Sequence, residues 1–120
     1  MADTKTTFID EEEYNAALED AKNSDTSYKH KFKKPLMHDG EEINEVSFDF
    51  DSLTGLDAIG IEAELALKGK AVVAPEFSTD YLILMAVKVS SPKIGLDAFK
   101  RMGMRDYNKI RGVARSFLLG

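Results

Sequence analysis

The chain has 120 residues, 43% hydrophobic and 31% charged, with a formal net charge of −5. That length suits one domain of about 100–200 residues, and the composition argues for a packed core over wholesale disorder. The absence of cysteine excludes disulfides, thiol nucleophiles and thiolate metal sites, and no run reaches the roughly 18 apolar residues of a membrane span.

The charge is unevenly spread. Residues 1–26 carry eight acidic groups against two lysines, a net −6. Between Lys88 and Arg115, eight basic residues face only Asp97 and Asp106, a local +6. An acidic head and a basic tail attract each other, within one chain or between copies. The start MADTKTTFIDEEE is polar and acidic, unlike a secretory signal, so the expected location is the cytoplasm.

Residues 1–7 read as a loose start. Asp10-Glu11-Glu12-Glu13 then opens a helix expected to run to about Asn23, since carboxylates in a first turn favour the positive end of the helix dipole. Tyr14, Ala17, Leu18 and Ala21 give it a thin apolar stripe, and the polar run 23–27 reads as a loop.

A β-hairpin follows. Tyr28, His30 and Phe32 alternate with Lys29, Lys31 and Lys33, and Val46, Phe48 and Phe50 alternate with Ser47, Asp49 and Asp51. A two-residue Asp39-Gly40 loop would set Phe32 opposite Ser47, mixing faces. An odd loop centred on Gly40 is therefore expected, with Phe32 opposite Phe48, His30 opposite Phe50, Lys31 opposite Asp49 and Lys29 opposite Asp51. Pro35 marks the first strand as an edge strand or a bulge site.

From Ser52 the period becomes helical. Leu56, Ile59, Ala63 and Ala66-Leu67 predict a helix over about 54–68 with Glu62 and Glu64 towards water and Gly69 as terminator. Ser78 caps a further helix through the apolar run 81–87, a run that a buried strand would also match. Ser90-Ser91-Pro92 breaks the chain. A short helix over 96–102 and a last one from Arg105 or Asp106 to Leu118 complete the pattern, with Tyr107, Ile110, Ala114, Phe117 and Leu118 on one face and Lys109, Arg111 and Arg115 solvated. The expected fold is α+β in a single domain over 1–120. It comprises an acidic N-terminal helix and linker (1–26), one antiparallel hairpin (about 28–50, within 27–51) and a mainly α-helical bundle (about 54–118, within 52–120).

Catalytic constellations are not evident. His38, Asp39 and Glu41 crowd one turn, where Asp-Gly is better explained by backbone needs than by metal binding. Asp10 to Glu13 lack the alternating acids and central glycine of a calcium loop, and no phosphate-binding glycine motif or GxSxG is present. The expectation is a protein that is not an enzyme and takes no cofactor or metal. The basic tail suggests nucleic acid, but the acidic total and the lack of a DNA-binding motif favour a solvated helix face. The apolar stripes of the last helices read first as core, and apolar residues after position 76 left over beyond what a small domain covers would mark a protein-binding surface. The candidate partner-binding residues are Tyr81, Leu84, Leu96, Phe99, Tyr107, Ile110, Phe117 and Leu118.

The order of features from Lys34 onwards resembles the phage tail assembly chaperones, small proteins encoded ahead of the tape measure protein in long-tailed phages. The resemblance rests on KPLxxDGxxINEVxFDF (residues 34–50), on Leu53-Thr54-Gly55-Leu56-Asp57 at the passage from hairpin to helix, and on a closing helix ending Val113-Ala114-Arg115-Ser116-Phe117-Leu118. It spans 34–118 and leaves out the acidic segment before Tyr28. It implies a non-catalytic protein of the host cytoplasm, absent from the mature virion. Such a protein binds the tape measure protein, keeps it soluble and recruits tail tube subunits, in many copies of itself. It also implies a longer, frameshifted form, for which a chain ending Leu119-Gly120 would be the short one. The competing readings are a small structural tail or baseplate component and a nucleic-acid-binding regulator.

Overall fold

The computed structural model describes residues 27–120, so the helix expected over 10–23 lies outside the described residues. The hairpin forms from β1 (Ser27–His38) and β2 (Glu41–Asp49), and a two-residue strand, β3 (Ser90–Ser91), adds to β2 to give the antiparallel order β1-β2-β3. The loop is the two-residue Asp39-Gly40 turn. Its φ angles of 52° and 80° fit the type I′ geometry whose twist matches a hairpin.

The register corrects the sequence expectation. His38 pairs with Glu41 and Leu36 with Ile43, but beyond a bulge Lys31 pairs with Glu45, His30 with Val46, Lys29 with Ser47 and Tyr28 with Phe48. Four residues of β1, Phe32 to Pro35, stand opposite Asn44 alone. The surplus is odd, so it exchanges the faces of the strand beyond it. The face mixing that counted against the Asp-Gly turn thus disappears without lengthening the loop. Neither Phe32–Phe48 nor His30–Phe50 is a pair, and the Lys31–Asp49 and Lys29–Asp51 ladder does not form. Tyr28, Phe48 and Phe50 stack in succession on the inner face, at ring-centroid separations of 6.5 and 5.9 Å.

Four helices follow, three of which pack against the sheet. After a 3₁₀ turn at Phe50–Ser52 come α1 (Gly55–Leu67), a second 3₁₀ turn at Pro75–Phe77, α2 (Thr79–Val89), α3 (Leu96–Arg101) and α4 (Met104–Leu119). The run 81–87 is helical, started by the Ser78 hydroxyl, which accepts the Tyr81 N–H at 3.2 Å. All six residues from Tyr81 to Ala86 are buried, because α2 lies at the centre, touching α1, α3, α4 and β2. A helix apolar on every side belongs in such a place. The core joins Val46, Phe48 and Phe50 of the sheet side to Ile61, Leu82, Ile94, Phe99 and Ile110 from the helical side. Among the described residues no helix is long and apolar enough to cross a membrane.

Candidate protein-binding surfaces

Helix α1 carries two apolar faces. Thr54 and Asp57 form a capping box at its start: the Thr54 N–H donates to Asp57 Oδ2 at 2.9 Å, and the Asp57 N–H donates to the Thr54 hydroxyl at 3.4 Å. The bond from the Thr54 backbone holds the Asp57 carboxyl below its ordinary range. At the other end Gly69, at φ 76°, closes a Schellman motif, its N–H reaching the Ala66 carbonyl and that of Lys70 the Leu65 carbonyl.

The helix turns Ile61 and Leu65 into the core, 1% and 2% exposed. The stripe expected to face inward does not. Leu56, Ile59 and Leu67 are 77%, 65% and 90% exposed, and Ala63 and Ala66 between them are exposed too. At a rise of about 1.5 Å per residue, the row from Leu56 to Leu67 runs about 16 Å along the outer side of α1. Helical geometry sets Glu62 and Glu64 on its two flanks. Exposed apolar residues repeating at i, i+3, i+7 and i+11 are the pattern by which one helix docks on another.

The eight candidates from the C-terminal part sit differently. Tyr81, Leu84, Phe99 and Ile110 are buried in the core, Leu96, Tyr107 and Phe117 are half-buried, and Leu118 is exposed at the end of α4. Leu84, Leu96, Phe99 and Tyr107 come together along a cleft of about 350 Å³ between α1, α2, α3 and α4, rimmed by Lys68, Lys70 and Lys100. Tyr81, Ile110, Phe117 and Leu118 do not join it. The Phe117 ring stacks on Phe50 at 5.7 Å. Apolar surplus after residue 76 is therefore largely core, filled around the central α2. Two of the basic residues expected on a solvated face also have partners: the Arg111 guanidinium lies 5.6 Å over the Tyr107 ring, and Arg115 Nε donates to the Glu76 carbonyl at 2.8 Å.

A polar network joins the sheet to α4. His30 Nε2–H donates to Asp106 Oδ1 at 2.8 Å, and His30 Nδ1 accepts the Tyr28 hydroxyl at 2.8 Å. Asp106 also accepts the backbone N–H groups of Lys33 at 2.9 Å and Lys34 at 3.3 Å. Burial alone would raise the Asp106 carboxyl, but these N–H donors and the imidazole outweigh it and hold it below its ordinary range. The Tyr28 hydroxyl is pushed up by burial and then by the Asp106 charge. Among the described residues, Asp106's partners lie in β1 or its bulge, so the network fixes the start of α4 against that strand. The bulge of β1 thus has a use: it turns two N–H groups towards one carboxylate. Asp106 reads in the sequence as an acidic first-turn residue, and nothing there links it to His30.

Beside this network lie two adjoining concave surfaces. One is a groove of about 680 Å³ lined by Ser27, Tyr28, Phe50, Val113 and Phe117, among others, with Asp51 and Gly120 also in its wall. The other is a basic shelf carrying Lys29, Lys31, Lys33, Arg105 and Lys109. Tyr28, Asn108 and Lys109 belong to both. The ion pairs between lysine or arginine and carboxylates among the described residues, Lys68–Glu64, Lys70–Asp80 and Arg101–Asp97, lie elsewhere. His38 Nε2 stands 3.4 Å from Asp39 Oδ2, and no group of three potential metal ligands gathers among the described residues.

Searches with the chain against protein-family models, curated proteins and solved structures return no match.

Proposed function

We propose that this protein is a phage tail assembly chaperone. It acts without catalysis, in the host cytoplasm, by binding the tape measure protein, keeping it soluble and recruiting tail tube subunits, and it leaves before the virion is mature. The observation that carries the reading is the exposed apolar row Leu56, Ile59 and Leu67 on α1, a face able to accept one side of a long amphipathic helix. Glu62 and Glu64 beside it favour a partner whose apolar stripe is bordered by basic residues. The resemblance over 34–118 supports the same reading, because its motifs lie in the hairpin, the start of α1 and the end of α4 and none of them is catalytic.

Co-expression with the tape measure protein encoded downstream tests it. The expected result is a soluble complex that co-purifies through the native chain and is lost in an Ile59→Lys, Leu67→Lys variant with an unchanged circular dichroism spectrum. A tape measure protein that is equally soluble alone and never co-purifies would overturn the proposal. Mass spectrometry of purified particles separates the rival reading of a structural tail component, which requires the chain in abundance there.

A further inference from the structure

The groove and the basic shelf begin where the acidic head of the chain attaches. Ser27 and Tyr28 form part of the groove wall, so residues 1–26 join the domain at the rim of this surface. That segment carries eight carboxylates against two lysines, while the adjoining shelf offers Lys29, Lys31, Lys33, Arg105 and Lys109. The complementarity is also apolar: Tyr14, Ala17, Leu18 and Ala21 stand at helical spacing in the sequence, and Tyr28, Phe50, Val113 and Phe117 line the groove. We infer that residues 10–21 of this chain dock on that surface, with the stripe in the groove and Asp10 to Glu13 over the shelf lysines.

Reach permits this. The sequence pattern of residues 10–21 predicts a helix, and at about 1.5 Å per residue twelve residues would span about 18 Å. The connection 22–26 extends up to about 17 Å, enough to reverse direction. A tether this short keeps the segment at an effective concentration of order millimolar, so a thin stripe with charge support suffices to hold it. Opposed charges within a Debye length of about 8–10 Å at moderate salt add to the attraction. The occupant is the chain's own head, because it matches the surface in sign, in apolar pattern and in point of attachment. This docking involves a different face from the outer side of α1 and does not depend on the chaperone reading.

Carbodiimide cross-linking of the full-length protein tests it, with equal parts ¹⁴N- and ¹⁵N-labelled chains and mapping by mass spectrometry. The expected result is amide links from Asp10 to Glu13 onto Lys29, Lys31, Lys33 or Lys109 within single-isotope peptides, and none onto Lys68 or Lys70. Their yield is expected to fall about fivefold or more at about 0.5 M NaCl, where the Debye length shrinks to about 4 Å. A Tyr14→Ser, Leu18→Ser variant, which keeps every carboxylate and lysine, is expected to lose them to a similar extent. Undiminished links in that variant would show that the tether alone produces them and overturn the docking. So would links spread evenly to Lys68 and Lys70. Mixed-isotope links would overturn it too, by assigning the groove to the head of a second copy.

Discussion

Replacing Asp106 removes the acceptor that ties three donors together. In Asp106→Ala the buried His30 Nε2–H and the Lys33 and Lys34 N–H groups lose their partner. A buried donor left unpaired costs about 1–3 kcal/mol. The bonds at 2.8 and 2.9 Å dominate, and the one at 3.3 Å adds little. Asp106→Ala is therefore expected to lose about 3–5 kcal/mol, and Asp106→Asn, which keeps one oxygen, about 2 kcal/mol. Urea unfolding followed by circular dichroism measures both, and the larger loss corresponds to a fall in Tm of about 12–20 °C for a domain of this size. Because His30 and Asp106 touch, His30→Ala and Asp106→Ala should be non-additive by about 1 kcal/mol or more. The pH dependence has a fixed sign. The folded Asp106 carboxyl lies below the ordinary value of 3.8, so its contribution is complete above that pH and is withdrawn as pH falls through the depressed value. The advantage of the native chain over Asp106→Asn is thus expected at neutral pH and should shrink below pH 3.8. A loss below about 1 kcal/mol for Asp106→Ala, or strict additivity with His30→Ala, would refute the reasoning.

Two further substitutions probe α1. Ile61→Ala, in the core, is expected to cost about 2–4 kcal/mol, whereas Ile59→Ala, two residues away on the outer face, should stay within about 0.5 kcal/mol; equal losses would mean that both faces are packed. Thr54→Ala should lower stability by about 1 kcal/mol through loss of the capping box, and Thr54→Ser should restore most of it, both read as shifts in the urea midpoint.

Local chemistry made much of this fold legible in the sequence. Period-two alternation located both strands, Ser78 and Gly69 marked helix ends, and Pro35 pointed to a bulge. Non-local choices were not legible. The hairpin register depended on how many residues the bulge absorbs, which the alternation does not encode. Helix α1 has apolar residues on both sides, so periodicity established an amphipathic helix without saying which side meets the core. Packing around α2 decided for Ile61 and Leu65. The same packing drew Tyr81, Leu84, Phe99 and Ile110 inward, away from the partner surface expected of them. Asp106 and His30 are separated by 76 positions, and only the folded chain brings them together.

The bulge also governs how copies of this protein can meet. An unpaired edge strand invites a strand from another molecule, the route by which sheets propagate into aggregates. Here the edge is β1, and at Lys33 and Lys34 its N–H groups are already given to Asp106. An incoming strand would meet an interrupted ladder and a row of lysines. The opposite edge, β3, is two residues long. Among the described residues sheet growth is thus blocked on both sides, so copies brought close together need not seed a fibril, and contact between them is left to helix faces.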